Sequence, residues 1–360
     1  MKLDLPEDYK KSALHSIAPY VGKLRADVVH SLIAKYSDED TTIFDPFCGS
    51  GTVPLEAWIM GRKTVGVDLS YYAYVLSMAK LFHYTNFDVA KEQLSKYELT
   101  VKEKTCNVKE RSIPDWIREF FHPDTLREIA AWTEVLVNNN DYFILACLLS
   151  ILHHQRPGFL SYPSSNGAPY LRDTKYPKAD YPEMYEYRNV HERLLKKLVR
   201  TYSEMPELCR SIEREIHYSD TLEVSNIPEN TTIITSPPYM KSLTYARDNR
   251  MRLWFLGHPN WEELDTRISV GKEAFMRLMK GCFKQWSEIQ RKDSYCIVVV
   301  GDILFDRKHK KALPDMICEL AKERQYAAIG VVDYPINQKR KSVKIESKIK
   351  TEKICVFRRS

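Results

Sequence analysis

A β-rich run at residues 43 to 46 passes into Asp45-Pro46-Phe47-Cys48-Gly49-Ser50-Gly51-Thr52, then into a helical pattern from 53 to 60, and a second β-rich run follows at 64 to 67. Strand, glycine-bearing turn, helix and strand in so few residues make a βαβ unit, which requires a parallel sheet. Further strands are predicted at 215 to 218, 232 to 235, 295 to 300, 327 to 333 and 353 to 357, the last two as an edge hairpin. The expected fold is therefore α/β, with a seven-stranded doubly wound, Rossmann-like sheet.

Between the second and third strands about 130 residues read mostly as helix, at 116 to 121, 124 to 138, 142 to 154 and 185 to 204, far more than an ordinary connection needs. The expected division is a first half of the sheet in 1–84, a mainly helical insertion in 85–212, and a second half in 213–360. The stretch from 156 to 182 is rich in Pro, Tyr, Ser and Gly and reads as a loop mounted on helices. Such a loop serves either recognition or subunit contact.

Composition narrows the classes. A content of 44% hydrophobic and 28% charged residues suits a globular chain, and no apolar run approaches the roughly 18 residues of a membrane span. The N-terminus lacks a signal-peptide pattern, so a cytoplasmic location is expected. Eight cysteines stand singly, with no C-x-x-C pair and no histidine at ligand spacing, so no metal site is expected and the thiols are read as reduced and mostly buried. The net charge of +6 is concentrated in Arg307-Lys308-His309-Lys310-Lys311 and Lys339-Arg340-Lys341; each run suits a solvated loop or a phosphate-binding face equally.

The turn after the first strand is where open α/β sheets bind ligands. Gly49 and Gly51 admit close backbone approach, and Asp45 at the strand end suits a cationic ammonium group. Asp68 ends the second strand, where a carboxylate can accept both hydroxyls of a ribose. The acid at the start of the first loop and the missing third glycine of G-x-G-x-x-G argue against a dinucleotide, because an acid repels a pyrophosphate. The sequence has no phosphate-cradling G-x-x-x-x-G-K-[ST].

The octapeptide resembles the cofactor motif D-P-F-x-G-S-G-T of the amino-group DNA methyltransferases. That resemblance implies S-adenosyl-L-methionine, held by Asp45, Pro46, Phe47, Cys48, Gly49, Ser50, Gly51 and Thr52 at its methionine part and by Asp68 at its ribose. The segment from His15 to Leu24, with Tyr20, is similar to the family's cover over the methionine end. Asp220 reads two ways, as the family's acid near the adenine and as a helix N-cap.

The strand at 232 to 235 runs into Ser236-Pro237-Pro238-Tyr239. An exocyclic amino group is a poor nucleophile because its lone pair is delocalised into the ring, and acceptors for the amino protons localise that lone pair increasingly toward the transition state. The Ser236 hydroxyl and the Pro237 carbonyl are the candidate acceptors, two prolines hold the backbone rigid, and Tyr239 offers a face for an extruded base. An isolated Pro-Pro-Tyr is more often a structural turn; the cofactor loop at the same sheet edge favours the catalytic reading. S-P-P-Y resembles the tetrapeptide of the cytosine-N4 enzymes, whereas the adenine-N6 enzymes usually begin with Asp or Asn. The residues at 243 to 257 read as one helix stopped by Gly257, with Arg247, Arg250 and Arg252 facing phosphates or solvent, and Tyr245 and Trp254 in the core. No Pro-Cys dipeptide is present, so covalent attack on cytosine C5 is not indicated, and Cys48 is expected to pack.

The expected function is a DNA cytosine-N4 methyltransferase with its target base flipped out, in a setting beside a nuclease. The alternatives are an adenine-N6 or RNA-base methyltransferase, and a non-catalytic cofactor-binding subunit.

Overall fold

The computed structural model describes residues 5–109, 112–203, 205–206, 208–238, 244–306, 311–335 and 351–360. Tyr239, Leu243, most of the first basic run (307–310) and the second basic run (339–341) lie outside the described residues.

The strands β1 (Thr42–Asp45), β2 (Thr64–Asp68), β3 (Arg214–Tyr218), β4 (Thr231–Thr235) and β5 (Tyr295–Gly301) run parallel. Apart from them stands a ribbon of β6 (Leu304–Asp306) and β7 (Lys311–Ala312). Two antiparallel strands, β8 (Tyr326–Pro335) and β9 (Thr351–Arg359), complete the sheet in the order β3-β2-β1-β4-β5-β9-β8, with β8 at the edge. The fold is the expected seven-stranded, doubly wound, Rossmann-like sheet. The chain winds outward from β1 through β2 to β3 and returns to lay β4 on the other side of β1, leaving a crevice at the carboxyl ends of β1 and β4.

Alternation along each strand sends successive side chains to opposite faces. Ile43, Ile234 and Ile297 pack on one face against α1 (Ala26–Tyr36) and α2 (Thr52–Ile59), through Val28, Leu32 and Val53. Phe44, Ile233 and Cys296 pack on the other against Phe283 and Trp286. Both faces are covered, so β1 and β4 are buried throughout.

After β2 come α3 (Tyr71–Leu81) and the helical insertion: α4 (Phe87–Thr105), α5 (Asp115–Arg118), α6 (Pro123–Asn138), α7 (Tyr142–Ser150) and α8 (Val190–Tyr202). Asn86, Asp141 and Asn189 cap α4, α7 and α8, each accepting a bond from the backbone amide three residues on. Residues 143 to 149 of α7 are buried on every side, sharing one core with Tyr72 and Leu76 of α3. This helix stops at 150, short of the expected 154, because Ile151 and Leu152 turn away to accept bonds from the amides of Leu160 and Ser161. Residues 156 to 181 are irregular apart from one bridge between Ser164 and Leu171.

The single helix expected over 243 to 257 is instead two, α9 (Tyr245–Asp248) and α10 (Arg250–Phe255). Asn249 breaks it: its buried side chain donates to the Tyr245 carbonyl and accepts from Arg252 Nη1. Gly257 does stop the segment, at φ +80°, with its amide bonded to the Trp254 carbonyl and that of His258 to the Leu253 carbonyl. Then follow α11 (Trp261–Ile268), α12 (Lys272–Ile289), which brings Phe283 and Trp286 to the sheet, and α13 (Leu313–Glu323). No described helix is long and apolar enough to cross a membrane.

Candidate active site

The loop after β1 is held in place by β2 on one side and α3 on the other. The Cys48 amide bonds to the Val67 carbonyl on β2, and the Gly49 amide donates to Asp68 Oδ2 at 2.8 Å. From α3, the Ser77 hydroxyl donates to the Gly49 carbonyl at 3.1 Å, and the buried Lys80 ammonium donates to the Ser50 carbonyl. Gly51 caps α2 at φ +70°, and a Cβ there would lie 2.7 Å from Ser77 Oγ. Gly49 stands at φ +50°, and a Cβ would meet the Tyr20 ring at 3.2 Å. The glycines are thus fixed by their neighbours as well as by their backbone angles.

Asp45 closes β1 and Thr235 closes β4, and the Thr235 hydroxyl donates to Asp45 Oδ1 at 2.6 Å. The two motif-bearing turns therefore meet at one rim. Asp45, Pro46, Phe47, Cys48, Gly49, Ser50 and Thr52 line a cavity of about 930 Å³ together with Tyr20, Asp68, Asp220, Ser236 and Pro238. Gly51 faces Ser77 instead, and Pro237 is buried without reaching the cavity wall. Asp220 lines the cavity, and its Oδ1 caps the turn at Thr221–Glu223 through the Leu222 amide, as its N-cap reading expects. Cys48 is buried, and burial holds its thiol well above the usual range, so it packs. Of the eight cysteines five are buried, while Cys106 and Cys209 are exposed and Cys318 is intermediate.

Burial raises Asp45 to about 7 against two opposing hydrogen bonds, and raises Asp68 to about 6. Buried acids so raised favour a cationic partner. Three residues of the wall, Thr52, Thr221 and Ser236, keep a buried hydroxyl with no partner among the described residues. Unsatisfied buried hydroxyls are costly, and a polar ligand that completes them repays that cost. S-adenosyl-L-methionine, with its ammonium group, ribose hydroxyls and adenine, fits this donor and acceptor set. Among the described residues, no group of three or more His, Cys, Asp and Glu side chains is placed to hold a metal.

Two expectations are corrected. Tyr245 was expected in the core but lines the cavity, its ring centroid 6.4 Å from that of Tyr20. Arg252, read as reaching phosphate or solvent, is 1% exposed and donates to the Leu149 carbonyl at 3.1 Å, joining α10 to the insertion. Arg250 likewise reaches the insertion, donating to the Pro169 carbonyl at 2.6 Å. Sequence reasoning also missed Ser77 and Lys80. Their only signal was a polar residue at each of two positions three apart on the otherwise apolar face of α3.

Residues 8–112 match a protein-family model described as DNA methylase. The chain is 25% identical over 282 residues to the type II methyltransferase M.BsoBI of Geobacillus stearothermophilus, covering 69% of this chain and 53% of that protein. It is 32% identical over 80 residues to the type II methyltransferase M.MjaII of Methanocaldococcus jannaschii, 22% of this chain and 15% of that one. The chain thus spans about half the length of M.BsoBI. Among solved structures, TrmN from Thermus thermophilus covers 94% of the chain at a TM-score of 0.37 and 9% identity. Residues 8–112, which carry Tyr20, the turn after β1 and Asp68 of the cavity wall, are thus the part of the chain that is similar to the DNA methylase family.

Proposed function

We propose that the chain is a site-specific DNA methyltransferase acting on the exocyclic N4 amino group of cytosine, working in the cytoplasm in a restriction-modification or related defence system beside a nuclease. The observation that carries this reading is the Ser236 hydroxyl, buried, unpartnered among the described residues, and in the wall of the cavity that Asp45 and Asp68 share. The description of the matching family model as DNA methylase supports the DNA substrate, and the naming of both curated relatives as type II methyltransferases supports the setting. Serine at the head of S-P-P-Y favours cytosine over adenine.

The bound cofactor supplies an electrophilic methyl group on a sulfonium. Asp45 pairs with its ammonium group, Asp68 accepts its ribose hydroxyls, and Asp220 sits at the adenine end. Ser236 Oγ accepts an amino proton of a flipped-out base, which turns the nitrogen lone pair outward as the transition state is approached. Pro237 and Pro238 fix the turn, and Tyr239 stacks on the base. The insertion, 85–212 in our division, recognises the target through the loop at 156 to 181.

Incubation of the full chain with labelled cofactor and a mixture of DNA and RNA, followed by separation of the two and digestion to nucleosides, tests the proposal. N4-methylcytosine is the expected product. N6-methyladenine would overturn the choice of base, and label found only in RNA would overturn the choice of nucleic acid. DNA binding without any transferred label would leave a non-catalytic subunit.

A further inference from the structure

A second cleft, of about 1190 Å³, opens between residues 11–19, the end of α7, the irregular loop and α8. It shares a wall with the cofactor cavity: Pro19 lines the cleft while the adjacent Tyr20 lines the cavity, and the Tyr72 hydroxyl pins the Pro19 carbonyl at 3.0 Å. Its lining holds Lys11, Lys197 and Arg200 and no acidic residue among those described. Lys197 and Arg200 lie three apart on α8, on the flank of its buried stripe of Val190, Leu194, Leu198 and Thr201, so their side chains emerge on one face. Neither has a carboxylate partner among the described residues, although acidic side chains neutralise many other cations of this chain. Lys197 is half-buried, and burial and then the neighbouring Arg200 charge depress its ammonium against the partial relief from Cys147. A half-buried cation without a counter-charge is costly unless an anion completes it. Ser16 and Asn166 add neutral groups of the kind that contact phosphate oxygens.

We propose that this cleft holds phosphodiester groups of the nucleic-acid backbone, with Lys197 and Arg200 as the phosphate contacts. The assignment rests on the nucleic-acid reading above and adds a backbone-docking surface beside the cofactor cavity. It seats the target strand against the insertion and the segment of 16 to 24 that walls the cofactor.

Fluorescence anisotropy of a ~30 base-pair labelled duplex, measured with the full chain and with Lys197→Gln/Arg200→Gln over a salt series, tests it. The double variant should bind about tenfold more weakly near 0.1 M salt, with a slope of log affinity against log salt shallower by about 1.8, or 0.9 per phosphate lost. Its affinity for S-adenosylhomocysteine, measured by calorimetry, should match that of the parent chain, which shows that the fold and cofactor site are intact. Unchanged duplex affinity and slope would overturn the assignment while leaving the DNA reading in place. If the parent chain binds RNA and not the duplex, and the variant flattens the RNA slope, the cleft stands and the DNA reading falls. Inorganic phosphate raising the melting temperature of the parent but not of the variant, with duplex slopes equal, would make it a small-anion site and overturn the proposal.

Discussion

Thr235 donates its hydroxyl to Asp45 Oδ1 at 2.6 Å across 190 residues of sequence, joining the end of β4 to the end of β1. The Phe47 amide donates to the same oxygen at 3.1 Å, so Oδ2 remains for a cation. One bond thus orients the acid for the ammonium group and sets the position of Ser236, the next residue. Thr235→Val keeps the shape and removes the bond; about 1.5 kcal/mol, or roughly tenfold in cofactor affinity, should be lost. Asp45→Asn should cost more, about a hundredfold. Calorimetry with S-adenosylhomocysteine measures both, and an unchanged affinity in Thr235→Val would show that the bond does not orient the acid.

Cofactor affinity should rise between pH 6 and pH 8. Asp45 at about 7 and Asp68 at about 6 must be ionised to serve a cation and two hydroxyls, so binding releases protons in that window. Stability of the cofactor-free chain runs the other way. Both acids are raised by burial above their ordinary value of 3.8, so their contribution is fully present below that value and is lost as pH rises through 6 and 7. Titration calorimetry in buffers of differing ionisation enthalpy reads the released protons, and a pH-independent affinity with no proton release would contradict both assignments.

Ser236→Ala should separate chemistry from binding. Removing one acceptor that acts mainly in the transition state should lower kcat by about 10² to 10³ while leaving the affinity for S-adenosylhomocysteine within about twofold. Single-turnover methylation of a duplex with excess enzyme measures it, and a variant with the parent rate would remove the Ser236 hydroxyl from the mechanism.

Two glycines with similar backbone angles should respond differently to alanine. At Gly61, φ +74° with nothing within 4 Å of a new Cβ, the cost is backbone strain alone, about 1 kcal/mol. At Gly51, φ +70°, the Cβ would also lie 2.7 Å from Ser77 Oγ and 3.0 Å from Ser77 Cα, so α3 or the loop must move. Gly51→Ala should lower the melting temperature more than Gly61→Ala and weaken cofactor binding at least tenfold, because the Gly49 and Ser50 carbonyls are held from α3. Equal shifts in thermal unfolding would mean that the contact with Ser77 is easily relieved.

Much of this architecture could be read locally. The β1 turn and the paired prolines after β4 announce themselves because glycine and proline set backbone angles with few neighbours involved. The seven strands were legible for a similar reason: β-rich runs bounded by turn residues mark buried strands whichever partners they acquire. The break at Asn249 was not legible, because it follows from a side chain bonding back to Tyr245 and forward to Arg252 where an unbroken helical pattern was equally compatible with the residues.

The residues of β1, β4 and their turns by themselves determined a parallel sheet, a close-approach loop with an acid at its start, and a rigid turn bearing a hydroxyl. Tertiary structure alone decided that Asp45 meets Thr235, that Lys80 and Ser77 hold the loop, that Tyr245 enters the cavity wall and that Arg252 is buried against the insertion. Strand and turn preferences are set within a few residues of chain, whereas these contacts depend on how helices far apart in sequence pack around a common core, which no local pattern encodes.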